Sequence, residues 1–321
     1  MRRIWERDGL YAFLRHYVDA CTRAGYRSLK VEGTPPAEDA VLIAPNHCNT
    51  LMDALVVLQS RRQPTVFGAR ADIFSLPVVA RILRFLKILP MVRKRDGIRN
   101  VLRNYETMEE VQDVLANHTP FCLFPEGKHT PGCVLQPLQK GIARMAFHSA
   151  AVRPTQVMPA GISYSDYFHY RGNGLLRYGE PIDVNAFLAA HADEPEAARY
   201  QAFLELLAAR ISALIEPEPL PASYPWWQTI LVFLLFLPSA LLSLPLWLPA
   251  EWLCARKVRD RAFHNTVRYG FRLAGMPLLV LLWALVFFLT LPWWLALLLC
   301  TWVMFSHSIF YDGLNLCRKK K

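Results

Sequence analysis

The stretch Asn46-His47-Cys48-Asn49-Thr50-Leu51-Met52-Asp53 is a polar cluster between two apolar runs. The run before it, residues 40–44, has the length of a buried strand, and the run after it, residues 54–58, continues as a helix. The cluster therefore lies where a strand is followed by a helix, which is where α/β proteins expose reactive side chains.

His47 and Asp53 are the leading candidates for catalysis in this cluster. Six residues of continuous helix turn the chain through about 600°, so the histidine has to lie in the loop and the aspartate in the first helical turn. There the carboxylate can accept a hydrogen bond from one ring nitrogen and leave the other as a general base. The alternative is a helix cap, because Thr50-x-x-Asp53 fits a capping box. Cys48 is interpreted as a structural thiol.

Strand and helix patterns alternate along the first two thirds of the chain, which predicts an α/β fold with a mixed, mostly parallel sheet flanked by helices. Residues 1–25 predict an amphipathic helix that either lies in a membrane interface or docks on its own domain. The predicted strands are 27–32, 40–45, 65–69, 88–92, 121–124, 156–162 and 175–178, and the predicted helices are 50–60, 76–86, 99–117, 138–150 and 194–215.

The chain divides into a catalytic domain over residues 26–216, a proline-rich linker over 217–225 and a membrane region over 226–321. After Pro225 ten basic residues stand against three acidic ones, which accounts for +7 of the net charge of +10. Basic residues beside apolar runs favour an anionic membrane surface as the partner and argue against nucleic acid.

The membrane region contains two apolar blocks, residues 226–253 and 276–310, each interrupted by proline. These blocks are read as hairpin, re-entrant or transmembrane segments. The segment that joins the two blocks is basic, and so is the C-terminus. Basic segments prefer the cytoplasm, so we expect each block to return to its starting side.

No cleavable signal is apparent, and seven cysteines without a C-x-x-C pair predict reduced thiols. We expect a membrane protein with its active site facing the cytoplasm, at a bacterial inner membrane.

Two further loops carry charged side chains at predicted strand ends. One is Phe124-Pro125-Glu126-Gly127-Lys128-His129-Thr130, the other is Arg93-Lys94-Arg95, and Lys140 opens the next helix. Backbone N–H groups and cations beside a glycine suit an anion site, although each loop alone is also compatible with an ordinary turn or a solvated face. Sequence signatures of dinucleotide, P-loop, zinc-protease and serine-hydrolase sites are missing, and we expect no metal.

In this order, the motifs resemble those of the glycerolipid acyltransferase family, the 1-acylglycerol-3-phosphate and glycerol-3-phosphate acyltransferases. Asn46-His47 with Asp53 resembles the first block, residues 88–95 the second, Phe124-Pro125-Glu126-Gly127 the third and Val157-Met158-Pro159-Ala160-Gly161 the fourth. The resemblance covers residues 31–182. Five residues separate His47 from Asp53 where the family usually has four, a spacing similar to that of the fungal glycerol-3-phosphate acyltransferases. Lys128-His129 replaces the usual Thr-Arg.

The resemblance implies transfer of a fatty acyl group from acyl-CoA or acyl carrier protein to the hydroxyl of 1-acylglycerol-3-phosphate, giving phosphatidic acid without a cofactor. Alternative acceptors are glycerol-3-phosphate, another lysophospholipid or an acylated amino acid. A non-catalytic lipid-binding protein of the same fold and a hydrolase that uses water are the competing hypotheses. The implied catalytic residues are His47 and Asp53, and the implied substrate-binding residues are Arg93, Arg95, Glu126, Gly127, Lys128, His129 and Lys140.

Overall fold

The computed structural model of the protein describes residues 3–6, 8–33, 40–91, 101–221 and 224–318, with the backbone alone for 101–105. One mixed sheet of eight strands forms the centre of the first two thirds of the chain. The strands are β1 Ser28–Glu32, β2 Ala40–Pro45, β3 Val66–Arg70, β4 Ile88–Met91, β5 Phe121–Cys122, β6 Thr155–Tyr164, β7 Asn173–Tyr178 and β8 Ile182–Asp183.

The strand order is β1-β7-β6-β2-β5-β3-β4, with β8 beside β6. From β6 to β4 every pairing is parallel, and β7 and β8 run antiparallel to β6. The predicted mixed, mostly parallel sheet is confirmed. Because parallel strands end at the same edge of a sheet, the loops after β2, β5, β3 and β4 gather there.

Helices cover both faces of the sheet. The helices of the catalytic domain are α1 Gly9–Gly25, α2 Leu51–Gln59, α3 Pro77–Phe85, α4 Val101–Ala116, α5 Gly141–Ala150, α6 Val184–Ala190 and α7 Glu196–Ser212.

The fully buried strand β2 shows how the two faces differ, because its side chains alternate between them. Leu42 and Ala44 join the core formed with α4, α5 and α7. Val41 and Ile43 join the core on the opposite face, formed with α2. Tyr269 and Tyr311 of the C-terminal region belong to that second core, so the C-terminal region packs against the catalytic domain.

Helix α1 packs against its own protein. Arg15 donates to the Arg61 carbonyl at 2.5 Å and Tyr17 donates to the Leu273 carbonyl at 2.6 Å. Leu10 and Phe13, one turn apart, remain exposed by 60% and 71%. The helix is therefore docked on the domain through one side and presents apolar side chains on another.

In the described part of the C-terminal region, three helices are long and apolar enough to cross a membrane, judged by length and composition. The second predicted apolar block is divided at Pro292, where α9 ends and α10 begins. The three helices are α8 Trp226–Arg256, α9 His264–Thr290 and α10 Trp293–Cys317.

Helix α8 bends back on itself. Ser243 contacts Ser306 and Trp247 contacts Phe310, so this half of α8 runs parallel to α10. If α8 were straight from end to end and kept this alignment with α10, Tyr224 would lie about 38 Å from Asp312 along the helix axes. Instead, the Tyr224 hydroxyl donates to the Asp312 carboxylate at 3.3 Å. The reversal lies before Ser243, and Pro238 is the proline of α8 in that part, so we attribute the bend to it.

Two ion pairs attach the C-terminal helices to the catalytic domain. Arg268 of α9 pairs with Glu251 of α8 at 2.7 Å and also donates to the Phe168 carbonyl at 2.8 Å. Arg171 pairs with Asp312 of α10 at 3.0 Å and donates to the Tyr26 carbonyl at 2.5 Å. Side chains that bind both a partner helix and the domain backbone fix the position of the helices relative to the sheet.

Candidate active site

His47 and Asp53 meet at the carboxyl edge of the sheet. The Nδ1 atom of His47 lies 2.8 Å from Oδ2 of Asp53, and the aspartate is fully buried. A carboxylate can only accept this hydrogen bond, so the proton lies on Nδ1 and Nε2 is left with its lone pair. The five residues between the two side chains thus allow the contact that the sequence predicted.

The Asp53 carboxylate accepts further hydrogen bonds besides the one from His47. Its Oδ2 atom also accepts the backbone N–H groups of Cys48 at 2.8 Å and Asn49 at 2.7 Å. Its Oδ1 atom accepts the hydroxyl of Tyr164 at 2.8 Å. Hydrogen bonds from several donors stabilise a buried carboxylate as the anion. Asp53 therefore holds the loop around the base as well as the base itself.

Tyr164 is a site residue that the sequence did not indicate. It ends β6, is 1% exposed and stacks on Tyr26 with the ring centroids 5.8 Å apart. Its place in the apolar pattern of β6 is that of any core tyrosine. It lies 111 positions after Asp53 in the sequence, so no local pattern links the two residues.

The residues beside His47 fix the loop to the sheet. Asn46 donates through its amide to the Ile162 carbonyl at 3.0 Å and accepts the Ile162 N–H at 2.6 Å. Cys48 is buried, and burial together with the Asp53 charge holds the pKa of its thiol well above the usual value. A protonated, buried thiol is a poor nucleophile, which agrees with the structural role predicted for Cys48.

The third block joins the loop of His47 through Glu126. One carboxylate oxygen of Glu126 accepts the His47 N–H at 2.6 Å and the other accepts the Gln136 N–H at 3.1 Å. The Thr130 N–H donates to the His47 carbonyl at 2.9 Å. Glu126, expected in the substrate-binding set, is 4% exposed and uses both oxygens within the protein, so its geometry is that of a positioning residue.

Burial shifts the protonation of Glu126. Desolvation raises the pKa of its carboxyl group to about 7, although hydrogen bonds from the His47 and Gln136 backbone act to lower it.

The next residue, Gly127, has φ of +69°, and a Cβ there would lie 3.2 Å from the Gln139 side chain. The turn therefore requires glycine.

His129 stands beside the base. Its ring centroid lies 5.8 Å from that of His47 in an edge contact and 5.0 Å from that of Phe263. Its Nε2 atom lies 3.3 Å from the Asp260 carboxylate, and both Asp260 and Phe263 belong to the segment between α8 and α9. The same segment reaches Thr50, whose hydroxyl donates to the Ala262 carbonyl at 3.3 Å and lies 2.7 Å from the hydroxyl of Thr266 at the start of α9. The C-terminal region thus forms one wall of the site, which the sequence motifs did not indicate.

Four predicted substrate-binding residues remain, all of them cationic. Arg93 and Arg95 lie outside the described residues. Lys128 is exposed beside Gly127, and Lys140 is exposed at the N-terminus of α5. The structure thus brings His47, Asp53, Glu126, Gly127 and His129 together, with the two lysines at the surface of the same loop and helix. Among the described residues no group of side chains could hold a metal ion.

The segment that carries this half-buried histidine and its buried carboxylate also matches a known family. Residues 28–163 match the family model described as Acyltransferase. This match, together with the relatives described next, confirms the predicted resemblance to glycerolipid acyltransferases.

Individual relatives match shorter stretches. Glycerol-3-phosphate O-acyltransferase 2 of Saccharomyces cerevisiae is 39% identical over 87 residues, which is 26% of this chain and 11% of the yeast protein. Glycerol-3-phosphate O-acyltransferase 1 of the same yeast is 31% identical over 96 residues, 29% of this chain and 12% of that protein. The chain thus matches about an eighth or less of the length of these curated relatives.

A solved structure also matches. The crystal structure of the 1-acyl-sn-glycerophosphate (LPA) acyltransferase PlsC from Thermotoga maritima aligns with a TM-score of 0.46 and 20% identity. The alignment covers 64% of this chain and 79% of that one.

Proposed function

We propose that the protein transfers a fatty acyl group from a thioester, acyl-CoA or acyl carrier protein, to the hydroxyl group of 1-acylglycerol-3-phosphate, giving phosphatidic acid at a membrane. The observation that carries the proposal is the 2.8 Å contact between His47 Nδ1 and the fully buried Asp53 carboxylate. The family match over residues 28–163 and the apolar C-terminal helices support it.

In this reaction His47 Nε2 removes the proton of the acceptor hydroxyl while the oxygen attacks the thioester carbonyl. The resulting tetrahedral intermediate collapses as its C–S bond breaks, and the released thiolate takes the proton from the imidazolium. Asp53 keeps the ring in the required tautomer and stabilises its positive charge. No acyl-enzyme is needed.

Lys128, Lys140, Arg93 and Arg95 are proposed to bind the acceptor phosphate, since cations give charge-assisted contacts to phosphate oxygens. Gly127 leaves room for the substrate to approach the backbone of the turn. The alternative acceptor is glycerol-3-phosphate, the substrate for which the two yeast relatives are named.

The test is an assay of the full chain in detergent or vesicles with acyl-CoA and acyl carrier protein donors and a mixture of acceptors, with products identified by mass spectrometry. We expect phosphatidic acid from the wild type and none from a well-folded His47→Ala variant. Full activity in that variant would exclude His47 as the base. Release of free fatty acid without an acylated acceptor would identify a hydrolase, and binding without any turnover would identify a lipid-binding protein.

A further inference from the structure

An apolar groove separates the second half of α8 from α9. Its volume is about 580 Å³, and its lining includes Leu246 and Leu253 from α8 and Val267, Ala274 and Leu282 from α9. Between Val267 and Leu282 the helix rises by about 22 Å. A groove of this length and width has the shape of an extended hydrocarbon chain, and its volume is typical of ligand sites.

The space between the two helices changes along the groove. A Cβ at Gly275 would lie 2.1 Å from a Leu246 side-chain atom, so the helices touch at that level. A Cβ at Gly270, more than one turn closer to the catalytic domain, would meet nothing within 4 Å. The groove is thus open at the end that faces the domain.

That end leads to the candidate active site. Val267 follows Thr266, whose hydroxyl is 2.7 Å from the Thr50 hydroxyl in the loop of His47. Phe263, one helical turn before Val267, contacts the ring of His129. A chain lying in the groove can therefore continue past Phe263 towards His47.

The mouth of the groove is basic. Four exposed cations and one acid occupy residues 256–261, which gives this segment a net charge of +3. Leu278 and Leu282, farther along the lining, are 67% and 47% exposed. The groove thus combines an apolar length that is open to the side with a cationic end. The exposed cations at the mouth are Arg256, Lys257, Arg259 and Arg261.

We propose that this groove holds the single acyl chain of the acceptor, with its free hydroxyl at His47 and its phosphate between the basic mouth and the loop of Lys128, which the contact of Asp260 with His129 joins. The inference rests on the proposed function and chooses between its acceptors, because glycerol-3-phosphate has no chain to occupy the groove. The lateral opening favours the acceptor over the donor. A lysophospholipid in the bilayer enters sideways without leaving an apolar medium, whereas the thioester carrier approaches from water.

The kinetic test compares Gly270→Phe, which fills the open part of the groove, with Leu281→Phe as the matched control. Leu281 lies on the same helix, is 66% exposed and is outside the groove lining. Both variants are assayed with palmitoyl-CoA and either oleoyl or hexanoyl lysophosphatidic acid, and then with donors of varied chain length.

For Gly270→Phe we expect kcat/KM with the oleoyl acceptor to fall about ten- to a hundredfold, because a substrate displaced from the reacting geometry loses rate by such factors. The loss with the hexanoyl acceptor is smaller, because its chain reaches only the start of the groove. The preference for donor chain length remains unchanged, and Leu281→Phe behaves like the wild type. The same profile in both variants, or an altered donor preference in Gly270→Phe, would overturn the proposal.

A second measurement is independent of turnover. The His47→Ala protein in phosphatidylcholine vesicles is photolabelled with a lysophosphatidic acid that carries a diazirine at the chain end. We expect labelled peptides from α8 and α9, competed by oleoyl lysophosphatidic acid and not by additional phosphatidylcholine. Competed labelling together with a wild type that shows no acyl transfer would uphold the groove and refute the enzyme. Labelling that no lysolipid competes would show bulk lipid in the groove and overturn the proposal.

Discussion

Asp53 combines two tasks that usually fall to separate residues. It fixes the tautomer of His47, and it accepts two backbone N–H groups of the loop that carries His47. A buried carboxylate can accept all of these bonds at once, whereas an amide has a single acceptor oxygen.

We therefore expect Asp53→Asn to lower kcat by about 10²–10⁴-fold, the usual contribution of a positioned general base. The amide NH₂ would face donors from the backbone or from His47, and the ring would lose its orientation. The measurement is kcat with saturating donor and acceptor, on protein whose folding is verified by circular dichroism.

Tyr164→Phe is the matched control, since it removes one hydrogen bond to the same carboxylate and leaves the contact between His47 and Asp53 intact. Its loss of stability should be about 1.5–3 kcal/mol, the cost of a hydrogen bond to a charged group. Its loss of activity should be much smaller than that of Asp53→Asn. Equal losses in the two variants would show that Asp53 acts through the fold alone.

Glu126 predicts a pH dependence of stability. Its pKa is raised from 4.5 to about 7, so between these values the folded state binds more protons than the unfolded state. The contribution of this group is present in full below pH 4.5 and is lost as pH rises through about 7. Glu126→Gln removes the titration, and the difference in Tm between about pH 5 and about pH 8 should shrink. Glu205→Gln, on an exposed face of α7, should leave that difference unchanged; a shift as large as that of Glu126→Gln would contradict the assignment.

At the scale of elements, the sequence predicted the sheet and its edge because strand and helix periodicities are local properties. β2 has the predicted bounds, and α2 differs from its prediction by one residue at each end. The sequence could not predict Tyr164, Asp260 and Thr266 as parts of the site, because their contacts span 111 to 216 residues. Periodicity carries no information about such distant pairs.

The start of α2 shows how a local signal is overridden. Thr50-x-x-Asp53 fits a capping box, yet the Thr50 side chain makes no capping bond and its φ is +47°. Its hydroxyl instead meets Thr266 of α9, while Asp53 reaches back to the two N–H groups that precede Thr50. Tertiary contacts and the placement of His47 thus determine this helix terminus.

The turn of the third block gives a prediction about backbone conformation. Gly127→Ala would place a Cβ at φ of +69° and 3.2 Å from Gln139. We expect a loss of about 1 kcal/mol or more in stability and reduced activity, because the turn sets the position of Glu126 and Thr130. Gly141→Ala is the control: the first residue of α5 has open space around a Cβ and should be neutral or slightly stabilised. Thermal denaturation and kcat report both effects, and equal behaviour of the two alanine variants would contradict this view of the turn.

At the scale of the molecule, the C-terminal helices begin and end beside the catalytic domain. The ring of Tyr224, before α8, lies 3.5 Å from the Arg27 guanidinium of the catalytic domain, and Asn315, near the end of α10, donates to the Tyr170 carbonyl at 3.0 Å. Thr266, at the start of α9, contacts Thr50. A folded domain lies on one side of a membrane, so we expect both ends of α8 and both ends of the α9–α10 hairpin on that side. The bend of α8 provides the return within the first block.

This geometry predicts that the segment before α9 and the end of α10 are accessible from the same side. Cys317 is exposed, and Lys257→Cys places a second exposed thiol between α8 and α9. Each is tested alone, in a Cys317→Ser background for position 257, with a membrane-impermeant maleimide on sealed vesicles of both orientations. Glu205→Cys on α7 marks the side of the catalytic domain. We expect positions 257 and 317 to react in the same vesicles as position 205, because the contacts with Thr50 and Tyr170 allow no other arrangement. Reaction of 257 and 317 from opposite sides would require an odd number of crossings between them and would contradict both the hairpin and the active-site wall that it forms.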